Sequence, residues 1–468
     1  MTEAQRIESD SMGTVAVPAG AYYGAQTARA LANFRLSPLR FPRRFIAALA
    51  WVKAAAARAN VALGLLDEAR GAAIEQAAGE VAAGRFDEHF PLDIFQTGSG
   101  TSTNMNANEV IANRAAEHLG GARGDKSVVH PNDHVNMGQS TNDVFPTALH
   151  VAALTAIEDD LLPALRTLAA SLERKAEEFS DIVKAARTHL QDAVPITLGQ
   201  EFSGYASVVR HDLARLERSR IHLSELAIGG TAAGTGLNAA AGFAARVVAE
   251  LRALTGEKLR QADNLFEAMQ NRDAAVEVSA ACRTLAIGLL KLANDLRLLS
   301  SGPHTGLNEI TLPDLQPGSS IMPGKVNPVI PEAVAMIAAQ VIGFDAAIAI
   351  AAMNGNLDLN TMMPVIAYDL LSSIDLLATA SRTLATRCID GIQANRERCR
   401  SFAESSPAVV TALAPVIGYD AAAALVKQAL ADGIPIREAV RASGLVPEDR
   451  LDALLDLLAL TRGGRAGA

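Results

Sequence analysis

Four short segments of the sequence concentrate polar side chains of the types used in ligand binding and catalysis. Each combines hydroxyl and amide groups with glycine or a charged residue, at 98–104, 139–143, 187–192 and 318–328. Hydroxyls, amides and free backbone N–H groups together suit a carboxylate or similar oxyanion, and Lys325 adds a compact positive charge. One such segment alone is typical of a capped helix end. Four of them, in a chain otherwise rich in Ala and Leu, favour a site for an acidic small molecule.

The loop at 318–328 differs from a nucleotide-binding loop. Five residues separate Gly318 from Gly324, where the phosphate-binding motif has four, and Val326 stands where Ser or Thr would hold magnesium. The two glycines can instead give a loop the backbone freedom to close over a substrate.

Among the histidines, His189 is the one that lies inside a polar segment and could activate water or act as a base. Glu332 is a candidate to orient it, although a glutamate at a helix start is equally explained by the helix dipole. His130 and His134 have a helical metal-ligand spacing, but Pro131 between them indicates a turn. No third ligand cluster accompanies them, so we expect no metal site.

The sequence around these polar segments predicts helices. Ala and Leu dominate the apolar fraction and only 4% of residues are aromatic, a composition that favours closely packed helices over a β-sandwich. Apolar residues at helical spacing predict helices at about 45–62, 67–83, 150–180, 198–227, 241–256, 274–300, 330–352 and 364–386. Residues 1–45 have an irregular pattern, 91–108 and 120–142 are polar, and breaks follow at 187–197, 228–238 and 302–328. No series of strands is indicated.

The fold class predicted is therefore all-α, with a long central helical bundle. We expect three domains: an N-terminal domain at 1–139, the bundle at 140–396 and a small helical domain at 397–468.

Composition and charge exclude several classes. A net charge of −9 argues against a general nucleic-acid binder. Three cysteines without CxxC spacing indicate reduced thiols, and the N-terminus has no secretory pattern, so a cytoplasmic protein is expected. No uninterrupted apolar run reaches the ~20 residues of a membrane span, and we expect no membrane partner.

The motifs resemble those of the fumarase/aspartase superfamily over nearly the whole chain. GSSIMPGKVNP at 318–328 is similar to the signature of that superfamily, and GTSTNMNANEV, STND and RTHLQDA at 100–110, 140–143 and 187–193 follow the family's order and spacing. Within it, QTGSG at 96–100, HPND at 130–133, EFSGYA at 201–206 and GGTAAGTGLN at 229–238 resemble class II fumarate hydratases.

That resemblance implies a three-domain helical subunit that assembles as a homotetramer, with each active site shared by three subunits. It implies reversible hydration of fumarate to L-malate, a step of the tricarboxylic acid cycle, without a metal or organic cofactor. By matching position, Ser319 would remove the C3 proton of malate, and His189, paired with Glu332, would hold and activate the water.

The residues that the resemblance assigns to the dicarboxylate are Ser99, Gly100, Thr101, Ser140, Thr141, Asn142, Thr188, Ser320, Lys325, Val326 and Asn327. His130, Pro131, Asn132 and Asp133 would form a secondary carboxylate site near the entrance.

Two alternatives remain open on the residues. Ser140-Thr141-Asn142 replaces the Ser-Ser-Asn of many fumarases, and the Ser-Thr form resembles aspartate ammonia-lyases, which deaminate L-aspartate to fumarate. His130 and the run at 97–100 stand against that alternative. The chain could also be a catalytically inactive bundle with a structural role, but retention of Ser319, His189, Lys325 and Asn327 argues against it.

Overall fold

The computed structural model describes residues 4–464. Its helices are α1 (Ala25–Asn33), α2 (Arg43–Ala62), α3 (Glu68–Ala82), α4 (Thr101–His118), α5 (Thr141–Ala156), α6 (Leu162–Glu178), α7 (Leu198–Ser219), α8 (Phe243–Thr255), α9 (Leu265–Gln270), α10 (Asp273–Leu299), α11 (Val329–Met353), α12 (Met363–Arg387), α13 (Arg396–Ser405), α14 (Ala414–Ile417), α15 (Tyr419–Asp432), α16 (Ile436–Ser443), α17 (Glu448–Leu454) and α18 (Leu457–Leu460). Long helices dominate, and the all-α class predicted from the sequence is confirmed.

Short strands form small two-stranded sheets between the helices. They are β1 (Gln5–Asp10), β2 (Gly13–Pro18), β3 (Val183–Thr188), β4 (Gln191–Thr197), β5 (Glu225–Leu226), β6 (Arg260–Gln261), β7 (Ile310–Thr311), β8 (Gly355–Asn356), β9 (Leu359–Asn360) and β10 (Gln393–Ala394). The β1–β2, β3–β4, β8–β9 and β7–β10 pairs are antiparallel, and β5–β6 is parallel.

Three segments differ from the sequence-based expectation. Residues 1–45 are not wholly irregular, because β1 pairs with β2 in the register Gln5↔Pro18 and α1 follows. The break expected at 187–197 is the second half of the β3–β4 hairpin. The polar stretch ending at residue 108 becomes helical from Thr101, because its asparagines are buried within the fold rather than exposed in a loop.

The chain folds into two compact units. The first comprises Met1–Pro163, Ala214–Ala286 and Ala339–Ala378, and the second comprises Ala164–Leu213, Ile287–Ala338 and Thr379–Ala468. The three-domain division at residues 139 and 396 stays a prediction.

In the first unit, α2 is the central helix and packs against α3, α4, α5 and α8. Alanine is the strongest helix former, and its small side chain lets neighbouring helices approach closely. Almost all of α2 from Phe45 to Asn60 is buried. Lys53 lies in the middle of this buried run, fully excluded from solvent.

In the second unit, the β3–β4 hairpin packs against α13 and α18. An apolar cluster holds the C-terminal helices together and includes Leu413, Leu425, Val440, Leu451 and Leu454. The base of the hairpin is thereby packed against helices, and residues 188–192 around its tip are exposed.

Three stretches are long and apolar enough to cross a membrane by length and composition alone: α2, α11 and Met363–Gly391. The apolar windows of α2 and Met363–Gly391 are 78% and 67% buried inside the protein, but that of α11 is only 28% buried at a mean hydropathy of 2.0. The sequence predicts no uninterrupted apolar run long enough to span a membrane. In α11, Glu332 and Asp345 do interrupt the apolar residues. Its apolar surface is nevertheless largely open in a single chain.

The cysteines provide a test of the fold. Cys282, Cys388 and Cys399 are free and buried, and burial raises the pKa of each thiol to about 12. Because the thiolate is the reactive form, we expect native protein at about pH 8 to react negligibly with a thiol-specific chromogenic reagent. Protein unfolded in guanidinium should release three equivalents of chromophore. Rapid labelling of the native protein would contradict the buried placement.

Candidate active site

The first candidate segment forms the N-terminus of α4. Gly100 precedes the helix with φ +83°, a left-handed conformation that glycine adopts without steric cost. A Cβ on Gly100 would lie 2.2 Å from the ring of Phe145, and a Cβ on Gly98 would lie 1.9 Å from a neighbouring carbonyl oxygen. The hydroxyls of Ser99 and Thr101 are 2.8 Å apart. They lie at the helix end whose free N–H groups favour an anion.

The second segment forms the N-terminus of α5. Ser140 and Asp143 make a capping box: Ser140 Oγ accepts the Asn142 N–H at 3.3 Å, and Asp143 Oδ1 accepts the Ser140 N–H at 3.0 Å. Thr141 Oγ1 accepts from Nδ2 of Asn104 on α4 at 3.0 Å. The two polar helix starts are therefore joined by a direct hydrogen bond.

The glycine-rich loop at 229–238 is attached to the start of α5. Asp143 Oδ2 accepts the backbone N–H groups of Gly229 and Thr231 at 3.0 and 2.9 Å. Asn142 Nδ2 donates to the Ala232 carbonyl at 2.8 Å. Thr231 has φ +52°, a strained conformation for a β-branched residue, which these contacts hold in place.

A buried lysine lies beneath both helix starts. Lys53 Nζ donates to Asn136 Oδ1 at 2.9 Å and to Gln139 Oε1 at 3.0 Å. The same Asn136 oxygen accepts Nδ2 of Asn104 at 3.3 Å and of Asn108 at 3.2 Å. A single amide oxygen thus receives three donors, from α2 and from two successive turns of α4.

Two opposite charges share this interior. Burial lowers the pKa of Lys53 to about 7, against the attraction of Asp143, and burial raises the pKa of Asp143 to about 6. In the unfolded chain Lys53 regains its ordinary pKa of 10.5. The unfolded state therefore binds more protons between about pH 7 and 10.5, so this lysine lowers stability most below that window and least above it.

The candidate secondary site is a π-helical turn from Pro131 to Val135. His130 Nδ1 accepts the backbone N–H groups of Asn132 and Asp133, both at 3.1 Å, and the His130 N–H donates to His134 Nδ1 at 2.8 Å. The expected turn after Pro131 is therefore present, and the two imidazoles cap backbone groups. Within residues 4–464, no group of three or more His, Cys, Asp or Glu side chains could hold a metal ion.

His189 lies at the tip of the β3–β4 hairpin. Thr188 pairs with Gln191, so His189 and Leu190 form a two-residue turn with φ +58° and +59°. Such turns need left-handed conformations at both positions and normally use Asn or Gly. Each non-glycine residue there costs about 1–2 kcal/mol, and His189 is exposed. A strained, solvent-facing histidine supports a functional role.

A buried ionic cluster holds the base of this tip. Glu309 is fully buried, and both of its carboxylate oxygens lie 3.0 Å from Arg187 Nη1. Lys184 Nζ lies 3.1 Å from Glu309 and 2.6 Å from Glu201. Arg187 directly precedes Thr188 at the end of β3, so the ionic cluster fixes the position of the strand end next to His189.

The 318–328 loop closes on itself by two strong contacts. The Gly318 N–H donates to the Lys325 carbonyl, and Asn327 Nδ2 donates to the Gly318 carbonyl, both at 2.7 Å. A Cβ on Gly318 would lie 2.7 Å from the Lys325 oxygen, so only glycine allows this closure. Ser320, Lys325 and Val326 are exposed on the closed loop.

Ser319 receives two backbone donors within this loop. Its Oγ accepts the N–H groups of Ile321 at 3.2 Å and Met322 at 3.0 Å. Two fixed donors aimed at one hydroxyl oxygen stabilise negative charge on it.

The candidate residues are divided between the two units. The first unit carries 99–101, 130–133 and 140–142, and the second carries 188–189, 318–327 and Glu332 in the first turn of α11. Among the described residues of one chain, no hydrogen bond or ion pair joins His189 to Glu332, and their pairing stays a prediction.

The buried residues that support these segments are not predicted by the sequence motifs. Lys53, Asn104 and Asn136 join the segments of the first unit, and Glu309 and Lys184 support the hairpin of the second. A signal existed for Lys53, since it is a lone charge in a run of alanines. Asn104 and Asn108 are likewise four residues apart and share one helix face.

Known protein families and relatives match nearly the whole chain. A lyase family model matches residues 13–343, and a model of the fumarase C C-terminus matches residues 409–462. The chain is 52% identical to the class II fumarate hydratase of Thermosynechococcus vestitus, covering 97% of each chain. The corresponding Mycobacterium tuberculosis protein is 54% identical, over 98% of this chain and 96% of that one.

The chain belongs to the class II fumarate hydratase family. The crystal structure of recombinant class II fumarase from Schistosoma mansoni superposes with a TM-score of 0.94 at 40% identity, over 98% of this chain and 99% of that one. The resemblance stated from the motifs is thereby confirmed for this family.

The ionic cluster provides a test of how this family member supports its hairpin. Glu309→Gln leaves Lys184 and Arg187 without their shared buried carboxylate, and breaking a buried pair costs about 3–5 kcal/mol. We expect the free energy of unfolding, measured by urea denaturation, to fall by that order. Turnover should also be reduced. The control is Glu404→Gln, which removes an exposed pair with Arg400 and should cost at most about 1 kcal/mol. Equal losses in both variants would contradict the role of the cluster.

Proposed function

We propose that this chain catalyses the reversible hydration of fumarate to L-malate, as class II fumarate hydratases do in the tricarboxylic acid cycle. The observation that carries the proposal is identity above 50% over nearly the full length to proteins of that name. Ser319, His189, Lys325 and Asn327 are all present in the motifs that resemble the family.

In the direction from malate, Ser319 removes the C3 proton. A serine is a weak base unless its alkoxide is stabilised, and the N–H groups of Ile321 and Met322 supply that stabilisation. The C–H bond electrons then move onto the adjacent carboxylate, which becomes an aci-carboxylate with an added negative charge.

Stabilisation of that charge is assigned to Lys325 and Asn327. Lys325 is exposed on the loop and supplies a positive charge. Asn327 holds the loop closed through one amide N–H and has a second N–H to offer. Each well-placed donor of this kind contributes about 3–4 kcal/mol to the transition state.

His189 completes the reaction at C2. It donates a proton to the departing hydroxyl, which leaves as water while the C2–C3 double bond forms. In the reverse direction the neutral imidazole takes a proton from that water. Glu332, which the family resemblance pairs with His189, would raise the imidazole basicity and set its tautomer.

Binding of the two carboxylates is assigned to hydroxyls, amides and helix starts. Ser99, Gly100 and Thr101 lie at the start of α4, and Ser140, Thr141 and Asn142 at the start of α5. Thr188, Ser320 and Val326 complete the set, and 130–133 forms a secondary carboxylate site. The proposed chemistry uses neither a metal nor an organic cofactor, and neither nucleic acid nor a membrane is a proposed partner.

We also infer that the chain works as a cytoplasmic homotetramer whose active sites are shared by three subunits. The support is the open apolar surface of α11, where Met336, Ile350 and Met353 are 69%, 57% and 76% exposed. Apolar surface of this extent on a helix is typical of an interface between copies.

The reaction itself can be tested with malate alone. We expect the wild-type protein to form ultraviolet-absorbing fumarate from L-malate without releasing ammonia. Ser319→Ala and His189→Asn should each lower kcat by at least about a hundredfold, as loss of a proton-transfer group does, while thermal unfolding stays close to wild type. Ammonia released from L-aspartate, with no turnover of malate, would establish the ammonia-lyase instead. Near-normal turnover by Ser319→Ala would refute its role as the base.

Assembly can be tested by light scattering after gel filtration. We expect a wild-type mass near four chains of 48.9 kDa. The double substitution Met336→Glu and Ile350→Glu places charges on the open face of α11, and should give smaller species with little activity. Leu430→Glu, at a 66% exposed position on α15, is the control and should leave the mass unchanged. A wild-type monomer with full activity would contradict the proposed assembly.

A further inference from the structure

Lys53 is a buried charge for which the proposed reaction has no use. Its side chain is wholly excluded from solvent within α2, where an ammonium group loses its hydration. A lysine is almost never fully buried unless its ammonium group is paired or hydrogen-bonded. The contacts of Lys53 identify these partners.

The Nζ atom contacts residues that lead to three of the candidate segments. Asn136 follows the 130–133 turn, and Gln139 directly precedes Ser140. Through the Asn136 oxygen, Lys53 also reaches Asn104, which donates to Thr141 and lies one turn after Thr101. One ammonium group thus lies under the residues assigned to both carboxylate sites.

The charges around Lys53 leave its own charge without a direct counter-ion. Asp143 on α5 faces it but bonds the backbone of Ser140, Gly229 and Thr231. On the other elements packed against α2, charged groups pair elsewhere: Glu75 and Glu250 with Arg58, and Glu80 and Glu117 with Arg114.

The remaining charged neighbours are either hydrogen-bonded elsewhere or exposed to solvent. Glu109 on α4 accepts from the amide and hydroxyl of Thr27. On the turn, the Asp133 side chain is 75% exposed, and His134 Nδ1 accepts the backbone N–H of His130. Glu68 on α3 and Arg246 on α8 are exposed, and His150 on α5 bonds the Glu225 carbonyl. Because no carboxylate among the described residues bonds Lys53 Nζ directly, its positive charge can act on an anion bound at the helix starts that the network joins.

We propose that Lys53 is a positioning residue that holds the Asn104–Asn136–Gln139 network in place and, through its buried charge, strengthens the binding of the dicarboxylate. The inference rests on the function proposed above. A neutral amine would keep two N–H donors for Asn136 and Gln139, so loss of the proton removes the attraction while the hydrogen bonds remain. Substitution by an apolar side chain removes both.

This separation gives the enzyme a specific pH dependence. Because the pKa of Lys53 is lowered to about 7, its charge is present at about pH 6 and largely lost at about pH 8.5. The KM for malate should therefore rise severalfold across that range. Arginine stays charged throughout, so Lys53→Arg should make this rise disappear.

The test measures KM and kcat of the full-length enzyme for L-malate between about pH 6 and 8.5. We expect Lys53→Met to raise KM about tenfold at pH 6, with a smaller change in kcat, and to leave a KM that no longer depends on pH. The matched control is Lys175→Met. Lys175 is also a buried lysine, bonded to Glu178 and the Ile392 carbonyl, and its substitution should preserve the pH dependence of KM.

Three results would overturn the inference while leaving the proposed function intact. They are a wild-type KM that is constant with pH, a Lys53→Arg variant that retains the wild-type rise, and a Lys53→Met variant whose KM equals that of wild type. The first needs no variant and applies even if substitution prevents folding. A wild-type enzyme that does not turn over malate would instead refute the proposed function itself.

Discussion

The chemistry that we propose requires hydroxyl and amide dipoles to be held in place around a small dianion, and buried charges hold several of these groups. Neutral donors stabilise an oxyanion well only when they are held in place before the reaction. In the first unit Lys53 joins the starts of α4 and α5 through shared amide groups. In the second, Glu309 ties two cations at the base of the hairpin. Both are costly to bury, which is consistent with a functional rather than a stabilising role.

Backbone conformation makes the second contribution. Gly100 lies where any Cβ would meet an aromatic ring, and Gly318 where a Cβ would meet a carbonyl oxygen. These glycines allow helix ends and loops to close tightly. At His189, by contrast, a residue with a Cβ adopts a left-handed backbone conformation in the hairpin turn. The strain is tolerated because the strands and the ionic cluster beneath it are rigid.

A single chain leaves some of its surface unmatched. The apolar face of α11 is open along its length, and the same helix carries Glu332 in its first turn. Assembly of copies through α11 would therefore cover apolar surface and arrange catalytic segments in a single event. In the assembly that we propose, stability and activity would therefore depend on the same interface.

The all-α class, the position of most long helices and the four polar segments could all be predicted from the amino-acid sequence. Helical periodicity and the GSSIMPGKVNP motif are local patterns, and they persist whatever the rest of the chain does. The convergence of amides on Ser319 was also predictable, because it arises within one short loop.

Three features became evident only from the folded chain: 187–197 is part of a hairpin, the polar stretch from Thr101 is helical, and Lys53 bonds residues next to two helix starts. Each depends on contacts between residues far apart in the chain. A polar helix is stable there because its asparagines find buried partners such as Thr141 and Asn136. Local propensity cannot register such partners, since it is the fold that brings them together.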